Sequence, residues 1–399
     1  MSKKENNNTL VKNATFLMVA ALISKIIGML YKSPLTTLIG RESFACFQFA
    51  QNAYFILLMI ASFSIPQAVS KIMSERIAFK RYRDAQRVFK GALLYAVIAG
   101  GIAALVCIFG ASILVPDNMA NARLALQMLA PTIFVSGILG VFRGYFQAYR
   151  NMLPTSISQI LEQIAVATVA LLASGFMVHH FANAGEDTLQ RWSAAGATMG
   201  TGAGVCTAFL FMLFVYRVNH KTIAKKIKND RVSVNESYRS IMKIILLIAA
   251  PIILSAFIYN VNGYINGVMY TSILGWKGVP NSLVKQNYAE YGFFMTLINI
   301  PLTLASTAPT SMMPEVSAQY AIGDLEETKR KIDQATWIAM LISIPASVGL
   351  AVLAQPVTRL IFPSTEGVAG QLMVIGVITV ILNSTSNISN GVLQAIGKA

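Results

Sequence analysis

Apolar residues in this chain gather into long runs that charge barely interrupts. Ten such runs fall at roughly 11–32, 44–70, 88–114, 122–148, 154–178, 193–216, 241–272, 289–312, 334–354 and 368–391. A helix needs about 20 apolar residues to cross the hydrocarbon core of a bilayer. The pattern therefore predicts ten spans and an all-α, polytopic membrane fold.

Two short echoes subdivide that pattern. Residues 144–148 read GYFQA and residues 391–395 read GVLQA, and each closes an apolar run. Pro66-Gln67 ends another run, and Pro314-Glu315 ends its counterpart. Both echoes have nearly the same offset, about 247 and 248 residues. They pair run 2 with run 8 and run 4 with run 10, so the repeat unit is six helices. An even number of spans separates the copies, which is the parallel kind of internal repeat.

Charge then orients the runs. Lys71, Arg76, Lys80, Arg81, Arg83, Arg87 and Lys90 crowd one connector, and eight further cations lie between Arg217 and Lys243. Lys3, Lys4, Lys12, Arg143, Arg150, Lys329, Arg330, Lys331 and Lys398 fall on the same side of a ten-span bundle. Only Arg41, Arg123, Arg191, Lys277, Lys285 and Arg359 fall on the other. The basic side is cytoplasmic by the positive-inside rule, which places both termini there. The longest connector sets the expected boundaries: a six-helix lobe over 1–217, a basic connector over 218–240, and a second lobe over 241–399. That second lobe holds four of an expected six or more helices, so a C-terminal truncation is expected.

Composition changes the picture little. The chain is 55% hydrophobic and 12% charged, against about 25% charged in soluble domains. The net charge of +15 reads as cytoplasmic loops rather than nucleic-acid binding. Cys46, Cys107 and Cys206 all lie in apolar runs; they form no disulfide framework and no metal site is expected.

Polar residues inside the runs carry the candidate chemistry, because ionisable groups in a bilayer are costly. Lys25 and Lys32 lie seven residues apart on one helix face, with Gly28 between them. Two ammonium groups on an inward stripe suit a diphosphate; the structural alternative is snorkelling by Lys32 and pairing of Lys25 with a carboxylate. Run 5 carries Thr155, Ser158, Gln159, Glu162 and Gln163 on one stripe. Glu162 lies about 12 Å into that run at 1.5 Å per residue, with Arg143 as its expected ion-pair partner; a proton or cation site is the rival reading. Gln48, Gln51 and Asn52 share a face of run 2. Run 7 carries Asn260, Asn262 and Asn266, with a small-residue approach expected at Gly263 and Gly267. Asn383, Asn387 and Asn390 follow helical spacing in run 10. Together the stripes predict a wet central cavity. Pro66, Pro251, Pro301, Pro309, Pro314 and Pro345 are expected to kink or break their helices and act as hinges. The chain has no P-loop, no HExxH and no nucleophile elbow, so neither an ATP-driven pump nor an enzyme is expected. His179 and His180 are adjacent and diverge, which makes them poor metal ligands.

The segments SKIIGMLYKSPLTTLIG (24–40), SFSIPQAVSKIMSE (62–75), FRGYFQAYRNMLPTSISQILEQ (142–163), NIPLTLASTAPTSMMPEVSAQY (299–320) and GVLQAIGK (391–398) resemble the polysaccharide-transporter branch of the MOP flippase superfamily. They are most similar to the stage V sporulation protein B group, relatives of MurJ-type flippases. The resemblance implies two six-helix lobes around a cavity that opens alternately to each side, as in MATE transporters. It implies translocation of undecaprenyl-diphosphate-linked saccharide, such as the peptidoglycan precursor lipid II, across the bacterial cytoplasmic membrane. Lys25 and Lys32 match positions that help bind the diphosphate. Arg143, Gln51, Asn52, Asn262, Asn266 and Asn387 would complete a substrate path. Members of the family often carry an aspartate in span 7 where this chain has Asn262 and Asn266, which argues against cation coupling there. No cofactor is expected, and the membrane potential, H+ or Na+ would supply the drive. The expected partners are the lipid-linked saccharide and the bilayer, for a monomer. The rival classes are a cation-coupled multidrug exporter of the same superfamily, disfavoured by a basic cavity, and a non-transporting scaffold that recruits cell-wall synthases or sporulation enzymes.

Overall fold

The computed structural model describes residues 19–20, 22–63, 65–234 and 236–396. Lys3, Lys4, Lys12, Lys398 and the opening of the first run lie outside the described residues. The described chain is helical throughout, without a strand. Helix α1 covers 22–30, followed by α2 Lys32–Leu58, a π turn at Met59–Phe63, α3 Ile65–Ala78, α4 Tyr82–Phe109 and α5 Ala111–Leu114. Next come α6 Ala122–Met128, α7 Ala130–Ala148, α8 Leu153–His180, α9 Glu186–Lys228 and α10 Tyr238–Trp276. The series closes with α11 Asn281–Ala321, α12 Leu325–Val352, α13 Ala354–Ile361, α14 Val368–Gly376 and α15 Ile378–Ala395. All ten apolar runs fall on helix, the first from residue 22 onward. Among the described residues, five helices are individually long and apolar enough to span a membrane, and the bent pair α14–α15 makes a sixth.

The breaks fall at positions with local causes. Inside α2 the helix is interrupted at Gly40, whose φ of +79° and ψ of 162° suit only glycine comfortably. The π turn precedes Pro66, which lacks the N–H that would continue the α ladder. The helices that carry the other prolines are continuous. Helices α10, α11 and α12 run on through Pro251, Pro301, Pro314 and Pro345 without a break; the rings of Pro309 and Pro314 lie outside the described residues. Neighbouring turns hold these helices together, so any hinge there is a bend and not a gap.

Contacts divide the chain into two compact units, the first ending at Gln286 and the second beginning at Asn287. The sequence boundary at 218–240 follows composition, whereas the packing boundary follows the attachments of α10. Ile241 and Ile245 of α10 enter the core formed by α3, α4, α7 and α9. Tyr264 donates its hydroxyl to the Leu114 carbonyl (2.6 Å), and Asn118 donates to that of Thr271. Helix α10 therefore packs with the first unit.

Each unit bears the repeat in its own geometry. In the first, the fourth span is divided at Leu129, between α6 and α7. In the second, the tenth span is divided at Val377, between α14 and α15, with a bend of 49°. The two echoes touch in the first unit, and in the second Gly391 approaches the residue just before Pro314. A Cβ on Gly144 would lie 2.7 Å from the Pro66 carbonyl oxygen, and one on Gly391 would lie 3.2 Å from Met313 Sδ.

Candidate functional site: the polar interior of the first unit

The segment 142–145 sends consecutive side chains to different helices. Phe142 meets Phe89 of α4 edge-on at 5.5 Å and Phe209 of α9 at 5.9 Å. Arg143 reaches α8, where its guanidinium donates to Ser158 Oγ (3.1 Å) and to Glu162 Oε2 (2.7 Å). Gly144 admits the α3 backbone, and fully buried Tyr145 lies 4.7 Å from the Phe89 ring. A helix advances about 100° per residue, so four residues suffice to face all round. The motif is specific because it serves several helices at once: Phe142 and Tyr145 share Phe89 of α4, Arg143 reaches α8, and Gly144 admits α3.

Arg143 and Glu162 form an ion pair with side chains 16% and 20% exposed, as the sequence predicts. At that burial the pair fixes geometry more surely than it adds stability, since desolvation offsets much of the attraction. Helix α8 is held firmly at this level. Gly200 and Gly204 of α9 lie so close to it that a Cβ on Gly204 would come 2.7 Å from the Glu162 carbonyl oxygen. This stripe, which also includes Gly196, is the small-residue interface of the bundle. Of the pair expected in run 7, Gly267 is buried, whereas a Cβ on Gly263 would meet nothing within 4 Å among the described residues.

Around the pair lie further predicted groups. Gln51 donates to Thr201 Oγ1 of α9 at 2.7 Å, and Asn52 beside it is half-buried. The Tyr54 hydroxyl pairs with Ser136 of α7. The carbonyl oxygens of Gln48 and Gln159 are buried without a hydrogen-bond partner among the described residues. Helix α1 approaches this stripe at Gly28, where a Cβ would lie 2.8 Å from Gln163 Oε1. Lys25 and Lys32 flank Gly28 on the same face. Lys25 is exposed; Lys32 is half-buried, and among the described residues its ammonium makes no hydrogen bond or ion pair. Other predicted site residues stand apart from this cluster. Asn262 and Asn266 are exposed on α10, and Asn387 is half-buried in the second unit.

Two polar clusters escaped the sequence reading. At the end of the bundle opposite the basic connectors, Glu42 accepts from Gln190 (2.7 Å) and Gln286 (2.9 Å). Gln190 in turn accepts from buried Lys285 (2.7 Å) and from Asn121 (3.0 Å), which also donates to Asp187 (2.9 Å). At the basic end, carboxylates pin the connector. Fully buried Asp84 accepts from Arg81, Val234 N and Glu236 N, while Glu236 accepts from Arg76 and Arg81. Asp230 accepts from Arg83 N, Val232 N, Ser233 N and the Ser233 hydroxyl. Burial pushes the Asp230 carboxyl up, but these hydrogen bonds outweigh it and hold it well below the usual carboxylate range. Many of the loop arginines read from sequence only as orienting charge are thus structural partners. No cluster of metal-ligating side chains occurs among the described residues.

An all-α bundle of long apolar helices with a polar interior defines a multi-pass membrane protein. The family described as "Polysaccharide biosynthesis protein" matches residues 10–320, and the chain belongs to it. Among curated relatives, it is 24% identical over 379 residues to "Lipid II flippase MurJ" of Bacillus subtilis (strain 168), covering 92% of this chain and 68% of the relative. It is 24% identical over 366 residues to "Stage V sporulation protein B" of the same organism, covering 90% and 67%. Among solved structures, the inward-facing conformation of a multidrug resistance MATE family transporter of the MOP superfamily superposes with a TM-score of 0.69 at 16% identity, covering 98% of this chain and 85% of that one. At that identity the likeness establishes the fold.

Proposed function

We propose that the protein is a flippase that moves an undecaprenyl-diphosphate-linked saccharide, lipid II or a related unit, from the inner to the outer leaflet of the bacterial cytoplasmic membrane. The observation that carries this reading is Lys32. A half-buried ammonium without a hydrogen-bond or ion-pair partner among the described residues needs an anion to offset its desolvation. Lys25 lies two turns away on the same face and supplies the second charge for a diphosphate. Kinship with the named lipid II flippase supports the same substrate class.

In this mechanism the saccharide follows the polar stripe of Gln51, Asn52 and Gln163, while the isoprenoid tail stays in lipid. The Arg143–Glu162 pair keeps α7 and α8 in register as the site changes exposure. The parallel repeat is the kind of build that alternating access uses. Asn262, Asn266 and Asn387 line the path in other states of the cycle, and Pro251, Pro301 and Pro314 supply the bends. Both termini lie in the cytoplasm, by the cation bias of the loops. The membrane potential contributes about 2.3 kcal/mol per charge moved through 100 mV. No covalent step is involved, and the protein acts as a carrier rather than an enzyme.

The test is Lys32→Ala, alone and with Lys25→Ala, expressed in bacteria depleted of their own flippase. A charge-assisted hydrogen bond contributes about 1.5–3 kcal/mol. Outer-leaflet accessibility of lipid II should therefore fall at least about tenfold, with normal membrane levels of the protein and no effect of Lys277→Ala. Undiminished accessibility with the double variant would sink the assignment.

A further inference from the structure

Helix α10 carries an open groove that the flipping mechanism does not use. Its volume is ≈ 1080 Å³. Arg239 and Lys243 stand at its mouth, one helical turn apart, and Leu246, Leu247, Pro251 and Leu254 form its wall. All six are exposed. The opposite face of α10, with Ile241, Ile245 and Ala249, is buried in the first unit. The groove is therefore the free face of a helix anchored from behind.

Charge distinguishes this face from the rest of the basic end. Arg76 and Arg81 are held by Glu236, Arg83 donates to the Ile227 carbonyl, and Arg87 donates to that of Glu236. Arg239 and Lys243 make no hydrogen bond or ion pair among the described residues. The connector's carboxylates Asp230 and Glu236 are already engaged, so among the described residues these two cations have no protein anion. Length selects the class of ligand. From Lys243 to Leu254 the helix rises about 16 Å at 1.5 Å per residue. One leaflet of the hydrocarbon core is about 15 Å deep, half of the ~30 Å total.

We propose that this groove is a binding site for an anionic glycerophospholipid, with its phosphate between Arg239 and Lys243 and an acyl chain along Leu246, Leu247, Pro251 and Leu254. The depth of the wall fits a chain that ends at mid-membrane and is too short for a C55 polyprenyl tail. The site lies at the basic end of α10 and is independent of the diphosphate assignment to Lys25 and Lys32.

The experiment is native mass spectrometry of the full chain titrated with phosphatidylglycerol. The variants are Arg239→Gln/Lys243→Gln, Leu247→Trp, which fills the groove and keeps both cations, and Lys277→Gln as a distant exposed control. Each is checked for an unchanged melting temperature. Each cation near a membrane surface contributes about 1 kcal/mol, so the double variant should bind about thirtyfold more weakly. Leu247→Trp should also lose affinity, and Lys277→Gln should not. Equal binding by all variants would overturn the site. So would an equal loss with Lys277→Gln, full competition by glycerol 3-phosphate, or tighter binding of undecaprenyl phosphate than of phosphatidylglycerol.

Discussion

Glu42 and Glu290 occupy equivalent places in the two repeats, each 24 residues before its proline, Pro66 or Pro314. Their surroundings differ. Glu290 is 1% exposed and accepts from Glu366 N and Ala369 N at 2.8 Å, and from the Thr365 hydroxyl at 2.6 Å. Two of its donors are backbone, so it caps the start of α14. Glu42 is half-buried and accepts from the side chains of Gln190 and Gln286. Backbone donors cannot turn away without unwinding a helix, whereas glutamine amides can rotate to other partners. The same carboxylate is a fixed cap in one unit and a separable joint in the other.

The strongest way to break that comparison is to delete each carboxylate in turn. Glu290→Ala strands two backbone N–H groups, each of which costs about 1–3 kcal/mol when buried. It should lower stability by about 3–5 kcal/mol, read as a lost folded fraction or a large drop in melting temperature in detergent. Glu42→Ala should lose only about 1 kcal/mol, because its donors can repair. Equal losses would end the distinction. A second pair of substitutions probes the helix contact shared by the repeats. Gly144→Ala drives a Cβ against the Pro66 backbone, which cannot yield, and should cost about 2–3 kcal/mol. Gly391→Ala meets the flexible Met313 side chain and should cost under about 1 kcal/mol.

A small, local effect is expected at the connector. Asp230 has a folded pKa below its unfolded value of about 3.9. Its contribution is complete above that value and fades as pH falls through the folded pKa. Cleavage of the connector by an acid protease should therefore rise only below about pH 4. Asp230→Asn should raise neutral-pH cleavage by about fivefold, for a loss near 1 kcal/mol. A connector equally labile at pH 7 in both forms would remove Asp230 from this role.

Much of this was legible in the chain, for physical reasons. A bilayer demands long apolar runs, so the helices announced themselves. Arg143 and Glu162 are charged residues in adjacent spans, and the bilayer leaves such residues few partners but each other. The echoes at Gly144 and Pro66 marked a real contact because close helix approach tolerates few residues. The Glu42 network was hidden by distance in sequence: Gln190 and Gln286 lie 148 and 244 residues from it. Glu290 sits where an apolar run begins, and position alone gave no sign of its helix-capping role. Gly196, Gly200 and Gly204 carry a small-residue spacing in α9 that lies against α8, whereas of the pair read in run 7 Gly267 is buried and Gly263 has no neighbour within 4 Å among the described residues.

The π turn at Met59–Phe63 gives the repeat a different kind of asymmetry. Span 2 and span 8 keep the same number of residues between carboxylate and proline, but α11 winds continuously while span 2 takes a wider turn on the way. A π turn holds more residues per revolution than an α turn. Equal length therefore yields unequal winding after the two glutamates. A duplicated sequence can thus acquire two distinct faces without the gain or loss of a single residue.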